Sequence, residues 1–537
     1  MSTEHTNEED FDVLIVGYGP TGMALAYWLG AAGHRTAVLE RWPDLYHLPR
    51  AGHVDGEVMR LFQRMGIADE IAADSSITGN GIIKGSDGNV LATIEAESSD
   101  QGWEAHYSLY QPNLERSLDR RVRGTGAVTV MQGWAAEQIE RTAEGRIRVS
   151  VKSGTGHDGT WHPTGSSKVL TGSWLIGADG ANSVVADYLN VDVEDLGYRD
   201  RALVVFAERL DPTVGASMPV NEIGMIPERP YVAFRESGKR FARWEFLVHP
   251  HETTEEMSKP EKAWELIARW GFSPQNSRLV RHTVFDFVTL VSRTWGEGNI
   301  LLAGDAAHRM PPFQGQGMCS GQRDAAALAW RLDLVLRGLA DESVLESYVE
   351  ERRPHVLAVT RNSAERGQLF WVTDPEQARQ RDAKMAEAFK DVNVRRSYGD
   401  VPRLTDGLIF RDSLGAREPA GRLSPQFHVL HNGTKRLLDD IVGSRWLLLA
   451  KDQRQLDNLA PADLELLLQL GTVRWALDQS VFTDVDGEYT RWLDELECDA
   501  VLIRPDSYVF GGAAGSEQLG EVLTSLREQL HVKEALV

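Results

Sequence analysis

The stretch Phe11-Asp-Val-Leu-Ile-Val16, followed at once by Gly17-Tyr-Gly19-Pro-Thr-Gly22, decides the fold. Its first six residues form a short apolar run typical of a buried strand, and the Ala- and Leu-rich run from Pro20 to Ala32 is typical of a helix. A second strand is predicted at Arg35 to Glu40. The order strand, helix, strand indicates a parallel sheet with a crossover helix, and therefore an α/β fold.

The three glycines lie where a dinucleotide-binding turn needs them. Gly17 and Gly19 let the backbone approach a pyrophosphate at the helix N-terminus, and Gly22 allows the helix to pack closely on the strand. Glu40 ends the next strand, at the position from which a carboxylate hydrogen-bonds a ribose hydroxyl. The alternative is an ordinary Gly-rich turn, and the motif by itself does not distinguish FAD from NAD.

Two later segments repeat the pattern of an apolar strand that runs into Gly and Asp. They are Trp174-Leu-Ile-Gly-Ala-Asp179-Gly180 and Leu301-Leu-Ala-Gly304-Asp305, and both are expected to return to the first sheet. The nucleotide-binding domain is therefore predicted to be discontinuous in sequence. Between these segments, alternating runs such as Arg201 to Phe206 and Arg243 to Val248 predict a mostly antiparallel sheet that covers a substrate.

The pattern changes twice more along the chain. Residues 320–390 have helical periodicity, and strands and helices alternate again from about residue 415. The chain is also too long for one hydrophobic core. We therefore predict a first part of the nucleotide-binding domain at 1–187, the covering sheet at 188–290, a second part with a helical segment at 291–400, and a small α/β domain at 415–537.

Composition restricts the partners. The 537 residues carry a net charge of −22, with 42% hydrophobic and 25% charged residues, which is ordinary for a folded soluble protein. The acidic balance argues against nucleic acid and anionic membranes, because both bind cationic faces. An anionic ligand must then be held by locally placed arginines.

The cysteines and the N-terminus bear on the compartment. Cys319 and Cys498 have neither CxxC spacing nor a nearby His cluster, so neither a disulfide framework nor a metal site is predicted. The stretch Met1 to Asp10 is polar and acidic, unlike a signal peptide, and no run has the length of a membrane helix. We expect a cytoplasmic protein, and a homodimer is left open.

The three Gly and Asp motifs, in this order and at these separations, resemble those of the flavoprotein aromatic hydroxylases, the family of para-hydroxybenzoate hydroxylase and phenol hydroxylase. The resemblance covers nearly the whole chain. It implies a Rossmann-like FAD-binding domain with an inserted antiparallel-sheet substrate domain and a thioredoxin-like C-terminal domain. Shorter segments are most similar to the 3-(3-hydroxyphenyl)propionate hydroxylases, namely Pro49-Arg50-Ala51, Val54-Asp55-Gly56, Gln111-Pro-Asn-Leu114-Glu115, Arg229-Pro-Tyr231 and Arg504-Pro-Asp506.

The resemblance also implies a reaction. NADPH or NADH would reduce a bound FAD, and O2 would supply one oxygen atom to a small phenolic substrate, such as a hydroxyphenylpropanoid, through a flavin C4a-hydroperoxide. Two alternatives stay open. One is a Baeyer–Villiger oxygenation or epoxidation of a larger polyketide-like substrate on the same fold. The other is a flavin-binding or carrier protein without catalysis.

By the same resemblance, particular residues would bind the cofactor. Asp305 would contact the ribityl chain, and the helix that begins near Gly315 would direct N–H donors at the pyrimidine end of the flavin, where reduction leaves negative charge. Arg50 and Gln111 would reach the pyrophosphate and ribityl regions, although a helix-capping role is the alternative for Gln111. The complete expected set is Gly17, Gly19, Pro20, Thr21, Gly22, Glu40, Arg41, Arg50, Gln111, Asp179, Asp305, Pro312, Gly315, Gly317 and Met318.

The chain departs from the family pattern at two positions. Ala186 stands three residues after Ser183, where the family usually has Arg, in a segment expected to serve both FAD and the nicotinamide cofactor. Cys319 stands where the family often has Asn, and a thiol donates hydrogen bonds poorly. Cofactor preference and one flavin contact are therefore in doubt.

Three residues are candidates for substrate chemistry. A phenol has a pKa near 10 and an ordinary Asp one near 4, so a carboxylate base needs a pKa raised by burial, or it only shares the proton. Asp55 is the candidate base, with an Asp-Gly turn as its alternative. Tyr231 and Arg243 lie in the predicted covering sheet, where an arginine could hold a substrate carboxylate. A solvated surface arginine is the alternative there.

Overall fold

The computed structural model describes residues 8–95, 98–157, 160–390, 402–412, 415–478 and 482–531. Most of the polar N-terminal stretch and the last ten residues of the third predicted segment, 391–400, lie outside these ranges. Among the described residues, no helix is long and apolar enough to cross a membrane.

The strands, in chain order, are β1 (Glu8–Val16), β2 (Thr36–Glu40), β3 (His53–Asp55), β4 (Ser76–Ile77), β5 (Gly81–Lys84), β6 (Val90–Ile94), β7 (His106–Ser108), β8 (Val128–Gln132), β9 (Trp134–Arg141), β10 (Ile147–His157), β11 (Thr160–Gly177), β12 (Val193–Arg209), β13 (Asn221–Gly224), β14 (Tyr231–Phe234), β15 (Phe241–Leu247), β16 (Ser277–Ser292), β17 (Gly296–Glu297), β18 (Ile300–Leu302), β19 (His308–Arg309), β20 (Arg411–Asp412), β21 (Gly415–Ala416), β22 (His428–His431), β23 (Thr434–Leu437), β24 (Leu447–Ala450), β25 (Val473–Ala476), β26 (Phe482–Asp484), β27 (Ala500–Ile503) and β28 (Val509–Ala513).

The α-helices are α1 (Pro20–Ala31), α2 (Gly56–Arg64), α3 (Ala68–Asp74), α4 (Gln111–Gly124), α5 (Val184–Leu189), α6 (Thr254–Met257), α7 (Pro260–Ile267), α8 (Gln316–Leu336), α9 (Glu346–Phe370), α10 (Pro375–Ala388), α11 (Asp439–Val442), α12 (Gln453–Asp457), α13 (Pro461–Gln469), α14 (Glu488–Glu495) and α15 (Ser516–Gln529). Short 3-10 helices lie at Gly180–Asn182, Ala268–Trp270, Gly304–Ala306 and Glu342–Leu345.

The first sheet has the strand order β17-β18-β11-β1-β2-β8. The strand β1 pairs in parallel with β2 and β11, and β11 pairs in parallel with β18. The predicted strand–helix–strand opening is confirmed, as is the return of both later Gly and Asp segments to the same sheet. Because parallel strands point the same way, their carboxyl ends bring Gly17, Asp179 and Asp305 to one edge.

The second sheet has the order β19-β16-β12-β15-β14-β13-β5-β6 and is mostly antiparallel. Its long strands β12 and β16 come from the predicted covering segment, but β5 and β6 come from residues 81–94. The predicted segment 1–187 therefore also contributes to the second sheet, because β13 has an open edge that β5 extends in parallel. The boundaries of the four predicted segments otherwise stay predictions.

The two faces of the second sheet have different surroundings. One face packs against α6 and α7 around buried Trp244, Phe246 and Phe272. The other face looks toward the first sheet and forms one wall of a large cavity. Side chains alternate between these faces along each strand, so the register of pairing decides which residues reach the cavity.

The C-terminal part forms a four-stranded sheet of order β25-β24-β27-β28. The strand β24 is parallel to β25 and antiparallel to β27, and β28 is antiparallel to β27. The helices α13 and α15 contribute buried leucines to the large core that they share with the rest of the molecule. This arrangement agrees with the thioredoxin-like expectation, and we call residues 415–531 the C-terminal module. Its one cysteine, Cys498, is buried and unpaired.

Candidate active site

A cavity of about 2070 Å³ lies between the first sheet and the second. A pocket for one small molecule usually measures about 300–1000 Å³, so this cavity has room for a dinucleotide and a second ligand. Most of the residues expected to bind the cofactor line it, namely Gly17, Gly19, Pro20, Thr21, Glu40, Arg41, Arg50, Gln111, Asp179, Asp305, Pro312, Gly315, Gly317 and Met318. Gly22, Asp55 and Tyr231 do not line it.

The glycine-rich turn between β1 and α1 has the geometry that close approach requires. Gly17 has φ +104°, and a Cβ atom added there would lie 2.3 Å from the Ala178 carbonyl oxygen. A Cβ at Gly22 would lie 2.0 Å from the Gly17 carbonyl oxygen, so a side chain would push α1 away from β1. A Cβ at Gly19 would meet no atom within 4 Å. This open space at the start of α1 fits a pyrophosphate.

Glu40 is held in place at the end of β2. Its carboxylate accepts hydrogen bonds from the backbone N–H of Tyr18 at 3.1 Å and of Trp42 at 3.0 Å. A carboxylate has about four acceptor positions, so two bonds leave capacity for a ribose hydroxyl. The neighbouring Arg41 lines the same part of the cavity.

Gln111 organises the segment that carries Arg50. Its Oε1 accepts hydrogen bonds from the backbone N–H of Arg50 at 3.0 Å and of Ala51 at 2.6 Å, and its Nε2 donates to Glu115 at 2.7 Å. Burial raises the pKa of Glu115 to about 7, against the opposing effect of the Gln111 hydrogen bond. Gln111 therefore fixes the backbone beside the cavity, a role that neither sequence interpretation described.

Asp179 ends β11 and binds the turn that follows. It accepts hydrogen bonds from Ser183 Oγ at 2.5 Å and from the Val184 N–H at 2.7 Å, and burial raises its pKa. Ala186 lies in the helix begun by this turn and borders a second, smaller cavity of about 220 Å³, next to Asp305. The smaller cavity therefore lies where the family's usual arginine, replaced here by Ala186, would place its side chain.

The start of α8 faces the cavity. Gly315 precedes the helix with φ +65°, a conformation that favours glycine, and its carbonyl oxygen is 3.3 Å from His53 Nδ1. The N–H groups of the first helical turn have no acceptor within the helix. Gly317 and Met318 of this turn line the cavity. Asp305 is exposed to the same space. Oriented N–H donors here fit the electron-rich end of a flavin.

The structure gives Asp55, the candidate base, a lowered pKa rather than the raised pKa that one of its two expected modes of action needs. Asp55 caps α2 by accepting a hydrogen bond from the Val58 N–H, and its Oδ2 lies 2.6 Å from Arg323 Nη2. Burial would raise its pKa, but the charge of Arg323 and the hydrogen bonds outweigh burial and lower the pKa below the ordinary value. A carboxylate held ionised by a buried guanidinium, outside the cavity wall, lacks the raised pKa, so the role of a base that only shares the proton stays a prediction.

Tyr231, the second candidate for substrate chemistry, lies on the face of the second sheet that points away from the cavity. In the register of the second sheet Tyr231 is paired with Phe246, and its ring packs in the cluster on the outer face. Its hydroxyl donates to Glu222 on that side. Successive side chains of a strand point to opposite faces of the sheet. Phe234, three residues after Tyr231 on β14, therefore faces the cavity, whereas Tyr231 does not.

Arg243 faces the cavity, and so does Glu245, which lies two residues further along β15 on the same side of the sheet. Arg243 Nη2 donates to Glu245 Oε1 at 2.5 Å, and both side chains are buried. The Nε of Arg243 has no hydrogen-bond partner among the described residues. The positive charge is therefore balanced within the cavity wall.

The structure adds residues that the sequence interpretation missed. His53 and His106 lie in the cavity wall, with His53 Nε2 and His106 Nδ1 3.1 Å apart. Burial and the neighbouring His106 lower the pKa of His53 to about 4, so it is neutral near pH 7. A carbonyl only accepts hydrogen bonds, so Nδ1 of neutral His53 carries the proton toward Gly315. The sequence signal that could have predicted His53 in the cavity wall is its position two residues before Asp55.

Comparison with known proteins agrees with this geometry. Residues 10–363 match the family model described as the FAD binding domain, and residues 421–529 match the model described as the HcaD C-terminal domain. The chain therefore belongs to the FAD-binding-domain family of flavin-dependent hydroxylases, and it is an FAD-dependent monooxygenase.

Individual relatives extend over nearly the full chain. It is 35% identical to a probable NADH-specific resorcinol 4-hydroxylase of Rhodococcus jostii (strain RHA1), covering 96% of this chain and 94% of the relative. It is 29% identical to a 3-(3-hydroxy-phenyl)propionate/3-hydroxycinnamic acid hydroxylase of Paraburkholderia xenovorans (strain LB400), covering 98% and 92%. The crystal structure of aklavinone-11 hydroxylase with FAD and aklavinone is similar in fold, with TM-score 0.77, 22% identity, and 98% and 100% coverage.

Proposed function

We propose that this enzyme uses NADH and O2 to hydroxylate a small, uncharged phenolic ring of the resorcinol type. One observation carries the proposal. A single cavity joins the glycine-rich turn to the face of the second sheet that bears the Arg243–Glu245 pair. A cofactor that reaches across this cavity would meet a substrate bound against that sheet.

The residues at the first-sheet edge are proposed to bind FAD. The turn at Gly17, Gly19 and Gly22 accommodates the pyrophosphate, Glu40 binds a ribose hydroxyl, and Asp305 binds the ribityl chain. The first turn of α8 stabilises negative charge at the pyrimidine end. When bound, FAD accepts hydride from the reduced nicotinamide and activates O2.

The opposite wall suits an aromatic ring. Phe313 and Trp371 make an edge-to-face contact with ring centroids 4.8 Å apart, and Phe287 stacks on Trp371 at 5.7 Å. Phe234 and Phe285 line the same space. Such a wall offers ring edges and faces to a planar substrate.

The charge balance favours an uncharged phenol over a phenylpropanoid acid. Arg243 was the sequence candidate for holding a substrate carboxylate, but Glu245 already neutralises it. A carboxylate placed there would compete with Glu245 and repel it. A phenolic hydroxyl instead accepts a hydrogen bond from an arginine N–H without adding charge.

The choice of NADH rests on the relative whose printed name is NADH-specific and on Ala186. Ala186 supplies no positive charge beside the cavity, whereas a 2′-phosphate is usually held by arginine. Homodimer formation and a cytoplasmic location stay predictions, and size-exclusion chromatography with light scattering tests the first.

A larger polyketide-like substrate is the second candidate, and the cavity volume favours it. In that case Baeyer–Villiger oxygenation would convert a carbonyl into an ester, which product mass and infrared absorption detect. The deciding assay compares resorcinol with 3-(3-hydroxyphenyl)propionate for stimulated NADH oxidation, product formation and hydrogen peroxide. Equal stimulation by both, or product only from the acid, contradicts the proposed substrate class.

A charge-removing variant tests the argument directly. In Glu245→Gln the positive charge of Arg243 is no longer balanced, so we expect KM for 3-(3-hydroxyphenyl)propionate to fall about tenfold relative to KM for resorcinol. The matched control is Glu222→Gln, which removes a carboxylate from the outer face of the same sheet and should leave this ratio unchanged. An unchanged ratio in both variants removes Arg243 from substrate selection.

A further inference from the structure

The turn between β27 and β28 is buried in the FAD-binding part of the molecule. It comprises Arg504 to Tyr508, and all five residues are buried although four of them carry a charged or hydroxyl-bearing side chain. Hairpin turns usually lie at the surface, because their polar groups need water. We call this segment the inserted turn.

Each polar side chain of the inserted turn has a hydrogen-bond partner outside the C-terminal module. Arg504 donates to both carboxylate oxygens of Glu351 on α9, at 2.6 and 2.7 Å. Asp506 accepts from Trp330 Nε1 on α8 at 3.0 Å, and the Pro505 carbonyl accepts from Arg64 Nη1 on α2 at 2.6 Å. The turn is thus fixed against three helices of the FAD-binding part.

Tyr508 extends this contact to the start of α8. Its hydroxyl donates to Glu57 Oε1 at 2.8 Å, and Glu57 Oε2 accepts from Arg323 Nε at 2.6 Å. Arg323 in turn donates to Gln316 Oε1 at 2.8 Å and to Asp55 at 2.6 Å. Gln316 is the first residue of α8, so a continuous buried chain of hydrogen bonds links the inserted turn to the helix N-terminus.

The charges in this chain do not cancel. Asp55 and Glu57 contribute two negative charges and Arg323 one positive charge, and all three side chains are buried. A net negative charge behind the N-terminus of α8 opposes the accumulation of electrons at the pyrimidine end of a flavin. The Tyr508 hydroxyl offsets part of that charge, because its dipole is directed at Glu57.

We propose that Tyr508 is a positioning residue of the flavin site, through which the C-terminal module fixes the N-terminus of α8 and tunes reduction of the flavin. This inference rests on the proposed function, because the flavin is placed at α8 by that proposal. It gives the C-terminal module a role that does not require the dithiol chemistry it lacks.

The test is Tyr508→Phe in the full-length holoenzyme, with Tyr489→Phe as matched control. Tyr489 is also buried in the same module, and its hydroxyl accepts a local hydrogen bond from the Phe427 N–H. We expect Tyr508→Phe to raise the Kd for FAD about fivefold to tenfold, because a hydrogen bond to a charged group is lost. It should also lower the midpoint potential of the bound flavin and slow its reduction by NADH. The control should leave all three unchanged.

Loss of thermal stability in both variants, with wild-type Kd and potential, would show that Tyr508 is only structural. If Tyr508→Phe does not fold, Glu57→Gln replaces it. Because that variant removes a negative charge, a raised potential supports the proposal and an unchanged potential overturns it. A wild-type protein that binds no FAD contradicts the proposed function itself, and is therefore distinguishable from failure of this inference.

Discussion

At the scale of single residues, Asp55 shows how a buried partner changes a role. Its carboxylate caps α2 and neutralises Arg323, so Asp55→Ala leaves a buried guanidinium with Glu57 as its remaining carboxylate partner. We expect a loss of about 3 kcal/mol in the free energy of unfolding, together with loss of flavin. Denaturant unfolding and the absorbance ratio of flavin to protein measure both.

The control for this prediction is Asp55→Asn, which keeps the capping acceptor and removes only the charge. It should lose less stability than Asp55→Ala. If Asp55→Ala kept wild-type stability and flavin content while hydroxylation alone became uncoupled from NADH oxidation, Asp55 would regain the role of phenol base.

Glu115 gives a pH prediction at the same scale. Its pKa is raised by burial from 4.5 to about 7, so the folded state binds its proton more tightly than the unfolded state does. Its contribution to stability is fully present below about pH 4.5 and is lost as the pH rises through about 7. This loss amounts to about 3 kcal/mol.

In Glu115→Gln the amide keeps an oxygen acceptor for Gln111 and cannot ionise. We expect the free energy of unfolding of the variant, relative to wild type, to increase between about pH 4.5 and 7 and to level off above that range. Urea unfolding at closely spaced pH values gives the difference curve. A difference that stays constant with pH would show that Glu115 is not protonated in the folded state.

At the scale of elements, the crossing of α1 over β1 depends on a glycine. In Gly22→Ala the new methyl group would lie 2.0 Å from the Gly17 carbonyl oxygen, so α1 has to move outward and the turn loses its shape. We expect a loss of about 1–3 kcal/mol in stability and weak retention of FAD. Gly124→Ala, at the end of α4 with no atom within 4 Å of the added Cβ, is the control and should be neutral. Equal flavin content in both variants would contradict the expected packing.

The elements also show what the sequence could predict. The turn at Gly17 to Gly22 and the strands before Asp179 and Asp305 were predictable, because a local run of residues carries each pattern. The face occupied by Tyr231 was not, because it depends on the pairing of β14 with β15. The role of Asp55 was equally hidden, because its partner Arg323 lies 268 residues away. Periodicity within one strand does not show which of its faces is covered.

At the scale of the whole molecule, buried ion pairs join the C-terminal module to the FAD-binding part. Besides the inserted turn, Asp439 on α11 binds Arg60 and Arg64 on α2, at 2.6 Å in each case. Water can reach these charged groups only if the two parts separate. The two parts are therefore expected to unfold together.

Asp439→Asn tests this coupling. The variant leaves two buried guanidinium groups without their carboxylate, which we expect to cost about 3–5 kcal/mol. If the two parts form one cooperative unit, flavin release and loss of far-UV circular dichroism should shift to lower temperature together. The control is Asp463→Asn, whose carboxylate is buried but pairs with the partly exposed Arg527 within the C-terminal module, so its loss should cost less than that of Asp439 and should leave the contact between the two parts intact. If instead Asp439→Asn left the temperature of flavin release unchanged while part of the dichroism was lost earlier, the C-terminal module would unfold independently. In that case the hydrogen-bond chain from Tyr508 to α8 would have no means of acting on the flavin site.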